Sequence, residues 1–281
     1  MKKVILIATL FLFTYSYAQL QTPQPSSAVK INQTVGLTQF SLEYARPSAK
    51  ERAVFGHLVP YGKKWRTGAN FNTLIEFDDN IVFGGQEVKA GKYALYSKPK
   101  PDQWKVYLYQ DIENWGLPQE WDEDKVVAVA EVKRQKVDYF TETFSINFNT
   151  LTSSSAHLLI EWENTRIEVP IEVPTDQKVE SSIKEVMANE PTARDFYQAA
   201  AYYYETQKDI NQAKEWIDKA MDQMDEKQFW TLRLQSLIHA EAGNKKSAIK
   251  LAKKSLKAAE KAGNDDYVRM NKDSLEEWEA K

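Results

Sequence analysis

Between Gln33 and Val173 apolar residues recur at every second position in a run rich in Val, Ile, Phe, Tyr, Trp and Thr. That period belongs to strands with one buried face. Phe40, Leu42 and Tyr44 alternate with Ser41, Glu43 and Ala45, and Arg46-Pro47 ends this strand because proline cannot donate to a ladder. Leu74–Phe77 and Ile81–Phe83 flank Asp78-Asp79-Asn80, Gly84-Gly85 leads into Glu87–Lys89, and Gly91 into Tyr93–Ser97, a succession of short hairpins. Trp104–Gln110, Val126–Lys133, Thr143–Phe148, Ala156–Glu163 and Arg166–Val173 bring the total to about nine or ten strands in roughly 140 residues, the spacing of an antiparallel β-sandwich. After Pro174 the alternation stops, alanine and lysine become common, and the apolar spacing turns helical. Residues 175–281 are therefore predicted to be all helix, with a first helix within Gln177–Ala188 and a polar last one over Asp265–Ala280.

The first residues read differently from either region. Lys2 and Lys3 precede the apolar run Val4–Tyr17, and Ser16-Tyr17-Ala18 places small residues at both cleavage-site positions, as in a secretory signal peptide cut after Ala18. The run is shorter than the roughly 20 residues of a membrane helix, and no second such run follows. The expected organisation is thus a signal peptide over 1–18, a β-sandwich domain over 19–174 and a helical repeat domain over 175–281. The expected location is periplasmic or extracellular, in soluble form.

Composition narrows the chemistry. With 42% hydrophobic and 27% charged residues the chain can bury a real core. It has no cysteine, which excludes a disulfide, a thiol nucleophile, a Cys-ligated zinc site and a cysteine-linked lipid. A net charge of −3, which becomes −5 without the two leader lysines, offers no electrostatic footprint for nucleic acid.

The helical region contains an internal echo: Asp209-Ile210-Asn211-Gln212-Ala213 and Gly243-Asn244-Lys245-Lys246-Ser247-Ala248 place turn residues and an alanine 35 positions apart, near the about 34 of a tetratricopeptide repeat. It resembles that family through Tyr197, Ala200, Ala201, Tyr204, Ala213, Ile217 and Ala220, and again through Leu232, Ser236, Ala248, Ala252 and Ser255; Gln235 and His239 depart from the pattern. Two units and a terminal helix are too few to bury a continuous core, so the first and last helices are expected to close the stack.

Upstream, Arg46-Pro47, Val54-Phe55-Gly56-His57-Leu58-Val59-Pro60-Tyr61-Gly62 and Trp65-Arg66-Thr67-Gly68-Ala69-Asn70 resemble the secreted bacterial family catalogued as domain of unknown function 2911. Ala90-Gly91-Lys92-Tyr93, Trp115-Gly116 and Trp162-Glu163 extend the likeness, while the acidic Asp122-Glu123-Asp124-Lys125 departs from it. The resemblance implies an exported protein of Bacteroidota-type bacteria and carries no catalytic role with it.

Two loops concentrate charge. From Arg46 to Arg66 there are six basic residues, Arg46, Lys50, Arg52, Lys63, Lys64 and Arg66, against the single acid Glu51, a local +5. An arginine fork suits a carboxylate or phosphate, and Trp65 offers a stacking face for a sugar, so Arg46, His57, Trp65, Arg66 and Asn70 are the candidate ligand-binding residues. The competing structural role has Arg46 and Arg66 paired with carboxylates, Trp65 closing the core and Asn70 bonding the backbone. Opposite in sign, Asp111–Asp124 carries six acids and no base, enough oxygen for calcium but without EF-hand spacing; the alternative sets it beside the basic loop with Trp115 and Trp121 packed inward. His57, His157 and His239 lie far apart, and no zinc motif, nucleophile elbow or phosphate loop occurs.

No catalytic residue, cofactor or metal ligand is assigned. The expectation is an exported, non-enzymatic binding protein whose sandwich takes a small anionic or sugar-like ligand or a partner, and whose helical repeats bind protein. The alternatives are a hydrolase or carbohydrate-active enzyme of the cell envelope, using His57, Arg46, Arg66 and acidic-loop carboxylates, and a purely structural envelope scaffold.

Overall fold

The computed structural model describes residues 22–280; the expected signal peptide lies outside the described residues. Ten strands come first, β1 (Ser27–Val35), β2 (Thr38–Arg46), β3 (Thr73–Phe77), β4 (Ile81–Phe83), β5 (Gln86–Val88), β6 (Gly91–Pro99), β7 (Gln103–Tyr109), β8 (Val126–Lys133), β9 (Gln135–Asn149) and β10 (Ser155–Glu172). They form two antiparallel sheets, ordered β1-β2-β3-β6-β7-β8 and β5-β4-β10-β9. Leu42, Ile75, Leu95 and Trp104 of the first sheet share one hydrophobic core with Phe83, Phe144, Leu158 and Trp162 of the second, which makes the pair a sandwich. Tyr44 crosses the gap: its ring meets Phe144 edge-on at 5.9 Å, and its hydroxyl donates to the Ile146 carbonyl and accepts from the Ile146 amide, both at 2.9 Å. A core tyrosine is thereby satisfied while it bonds backbone of the opposite sheet.

The alternating pattern located most strands and misplaced some ends. β1 begins six residues before Gln33, because its Val29 and Ile31 are only partly buried at the sheet edge. The two strands read from Ala156–Glu163 and Arg166–Val173 are one, β10, with register shifts on both sides of Glu163. Glu163 has a left-handed backbone (φ 52°), so the strand bulges at Glu163-Asn164, where the alternation breaks, without ending. β9 also starts earlier than Thr143, since its first half leaves Tyr139 and Phe140 in solvent and so hides the buried period.

Six helices follow: α1 (Thr175–Met187), α2 (Ala193–Glu205), α3 (Ile210–Gln223), α4 (Phe229–Glu241), α5 (Lys245–Ala262) and α6 (Asp265–Ala280). Thr192 and Asp195 form a capping box on α2, the Asp209 carboxylate accepts from the Asn211 and Gln212 amides to start α3, and left-handed Gly263 ends α5. α2 pairs with α3, and α4 with α5. Of the small residues singled out in the sequence, Ala200, Ala213, Ala220, Ser236, Ala248, Ala252 and Ser255 are buried, which allows this close approach, while Ala201 is half-buried. Gln235 and His239 both reach Asp218 of α3, at 2.8 Å each. Burial works to raise the Asp218 carboxyl, but hydrogen bonds from His239, Lys214 and Gln235 outweigh it and hold the pKa below its ordinary value. No helix among the described residues is long and apolar enough to cross a membrane.

Candidate functional site

The segment from Pro47 to Asn72 connects β2 to β3 and is fastened at many points. Ala49 donates to the Glu142 carbonyl at 2.8 Å, and the Val54 and Phe55 amides donate to the two Glu163 carboxylate oxygens at 2.7 and 3.4 Å. Trp65 pairs with Ser97 in both directions, at 2.7 and 2.9 Å, on the stretch of β6 that β3 leaves free. Its ring stacks on Trp162 at 5.9 Å and meets Phe144 edge-on at 5.1 Å, while its Nε1 donates to the Gly68 carbonyl. Lys50, Glu51, Thr67, Asn70 and Glu163 are five of the eight non-glycine residues with positive φ among the described residues. For a β-branched residue such as Thr67 this conformation is costly, and it persists because Thr67 is buried, bonds Ser97 and accepts from Thr73.

Two contiguous depressions open beside this segment. One, of about 330 Å³, is lined by Lys50, Arg52 and Arg66 together with Pro47 and Trp162. The other, of about 390 Å³, is lined by Lys63, Lys64 and Arg66 with Leu58, Trp115 and Leu117. They share Leu58, Val59, Trp65 and Arg66, so the Trp65-Arg66 pair forms the ridge between them. Five cations line the two depressions and no carboxylate does. In a chain of net charge −3 this concentrates positive charge along the cleft, offset at Lys64 by the Glu123 carboxylate 3.2 Å away.

Arg52 donates from Nε to the Ala49 carbonyl at 2.8 Å and from Nη2 to the Ser48 carbonyl at 2.7 Å; Arg66 is held on two sides. Its Nη1 donates to the Asn70 carbonyl at 2.6 Å, and it lies over the bare α-carbon of Gly116, where an added Cβ would come within 3.1 Å of the same nitrogen. Gly116 is pinned in turn: its amide donates to Asn72 Oδ1 and its carbonyl accepts from the Tyr96 hydroxyl, both at 3.0 Å. Burial pushes the Tyr96 phenol up to about 12, so it remains a donor at neutral pH. Lys64 reaches Glu123 at 3.2 Å and lies 4.1 Å from the centre of the Trp121 ring.

Of the candidate residues, Trp65 and Arg66 are brought together in the cleft. Arg46 is drawn away, its Nε donating to the Phe144 carbonyl, and Asn70 donates to the Ser26 carbonyl; neither lines a depression, and neither Arg46 nor Arg66 has a carboxylate partner among the described residues. His57 stands exposed on the turn between Phe55 and Val59, also outside both depressions. Trp65 shows little free ring face, being packed among Phe55, Trp104, Phe144 and Trp162. The accessible aromatic is Trp115, expected inside yet 71% exposed; Trp121 does pack inward, against Tyr96, Tyr107 and Tyr109. Lys50, Arg52, Lys63 and Lys64 were legible as a basic run but not as cleft walls, which needed the Trp65–Ser97 pairing.

The acidic segment does lie beside the basic one, through Lys64–Glu123 and Gly116 under Arg66. Asp111 is bound by Lys125 at 2.6 Å and Asp122 caps the Asp124 amide. Among the described residues no three His, Asp or Glu side chains converge as a metal site.

The structure thus defines an antiparallel β-sandwich with a cationic cleft, followed by helices. Residues 26–171 match the family model described as Protein of unknown function (DUF2911), and the chain belongs to that family. No curated protein and no solved structure matches it.

Proposed function

We propose that this is an exported, non-enzymatic binding protein whose sandwich domain, over residues 19–174, holds an anionic ligand in the cleft on either side of Trp65-Arg66. The observation that carries this reading is the lining itself: Lys50, Arg52, Lys63, Lys64 and Arg66, without one carboxylate. Charge-assisted hydrogen bonds to such a ligand are each worth about 1.5–3 kcal/mol. The helices after Pro174 form a tetratricopeptide-like module that binds protein, a reading supported by the 35-residue echo and the buried small residues between paired helices.

The test is thermal unfolding of the full chain with phosphate, sulfate and monomeric uronate. A ligand at about 100 times its Kd adds roughly 2.7 kcal/mol of stability. The expected result is a rise in melting temperature with at least one of these anions that is lost in Arg52→Ala/Lys63→Ala. Unchanged melting with all of them removes the proposal.

A further inference from the structure

Resting on the reading of the cleft as an anion site, we infer that its ligand is a chain: an acidic oligosaccharide that passes through both depressions and stacks one sugar ring on Trp115. The cations are not gathered around one point. Lys50 and Arg52 line one depression, Lys63 and Lys64 the other, and Arg66 is shared. A single small anion would occupy one depression and leave the cations of the other without a ligand, Lys64 keeping only its contact with Glu123, whereas a chain with acidic groups on successive sugars meets both.

Trp115 supplies the second observation. It is 71% exposed, with Leu117 at 46% and Leu58 at 44% beside it, so apolar surface is concentrated at the rim of the depression that Lys63, Lys64 and Arg66 line. The ring is presented rather than loose: it lies tilted at 60° to Phe71 with ring centroids 6.3 Å apart, and the next residue, Gly116, has both backbone groups hydrogen-bonded to the sandwich. An aromatic face beside fixed hydrogen-bond donors suits a pyranose, which has an apolar C–H face and a polar rim. Cations and exposed apolar side chains also attract anionic membranes. Here, however, the cations line concave walls, and the Arg66 fork is tied to the Asn70 carbonyl, which favours a ligand that enters over a surface that is laid against.

The experiment is calorimetric titration of the full chain, wild type, Trp115→Ala and Trp115→Phe, with a uronate hexasaccharide, a sulfated hexasaccharide, the monosaccharide of each, and an uncharged hexasaccharide. Sedimentation with phosphatidylglycerol vesicles is run in parallel. At least one charged hexasaccharide is expected to bind about tenfold tighter than its own monosaccharide, and which one does so distinguishes carboxylate from sulfate ester. Trp115→Ala is expected to remove most of that gain, about tenfold; Trp115→Phe is expected to restore most of it. The inference is overturned if neither hexasaccharide exceeds its monosaccharide, if Trp115→Ala has no effect, if the uncharged chain binds as well, or if vesicles depend on Trp115 and saccharides do not. If charged monosaccharides bind while chain length and Trp115 are immaterial, the anion site stands without the chain; if no anion binds, the site itself falls.

Discussion

Gly116 combines three constraints: its amide bonds Asn72, its carbonyl takes the Tyr96 hydroxyl, and its missing side chain gives Arg66 its place. Its φ of +94° adds a backbone reason for glycine. Gly116→Ala is therefore expected to cost about 1–3 kcal/mol through strain and to weaken anion binding several-fold by displacing the guanidinium, read by melting and titration of the same sample. Arg66→Lys, by contrast, keeps the charge and loses the planar fork, so it should weaken binding and, by taking the donor from the Asn70 carbonyl, cost about 1 kcal/mol of stability. Tyr96 makes a pH prediction. Its pKa is raised to about 12, so its contribution is complete below the ordinary phenol value near 10 and is lost as pH rises through about 12. Melting temperature should fall over that interval, and Tyr96→Phe, which costs about 1 kcal/mol at neutral pH by orphaning the Gly116 carbonyl, should flatten part of the fall.

At the scale of elements, periodicity worked where one face of a strand is buried and the other wet, as in β2 and β3, and where helices pair through small residues. It failed at β10, where a single left-handed residue, Glu163, bends a strand without ending it. The cleft was half legible for a related reason. Composition located the cations, but which of them share a wall depends on Trp65 pairing with Ser97, a contact between positions 32 residues apart that leaves no local trace. Trp115 was misread because a tryptophan in a mixed loop has the same sequence signal whether it packs or projects. The junction of strands and helices is similarly specific: Lys178 of α1 reaches Asp79 in the β3–β4 turn at 2.8 Å, and Thr38 donates to the same carboxylate. The Lys178 hydrogen bond is the main cause holding the Asp79 carboxyl below its ordinary range. A depressed carboxylate stabilises the fold above its unfolded pKa, near 3.9, and loses that contribution as pH falls further. Asp79→Asn should thus cost about 1 kcal/mol at pH 7 and narrow the gap to wild type as pH is lowered from 5 toward 2 in melting experiments.

For the whole molecule, the arrangement of cores decides what a ligand can stabilise. The sandwich and the helices have separate hydrophobic clusters, one drawn from residues 35–173 and another from residues 200–238. Between them stand local contacts: Thr175 accepts from the Leu37 amide at 3.2 Å against the bare α-carbon of Gly36, and Lys178 binds Asp79. Few polar links between two self-sufficient cores favour separate unfolding over a single all-or-none transition. Calorimetry of the full chain is accordingly expected to resolve two transitions, and an anion that fills the cleft should raise only the one belonging to the sandwich. The same anion should lose its effect as salt is raised from 0.05 to 0.5 M, since exposed lysines are screened over about 10 Å at 0.1 M. A single transition that moves as one with ligand would mean instead that α1 transmits binding from the cleft to the helices, and Thr175→Ala with Lys178→Ala, which removes the Leu37 and Asp79 contacts, would then uncouple them.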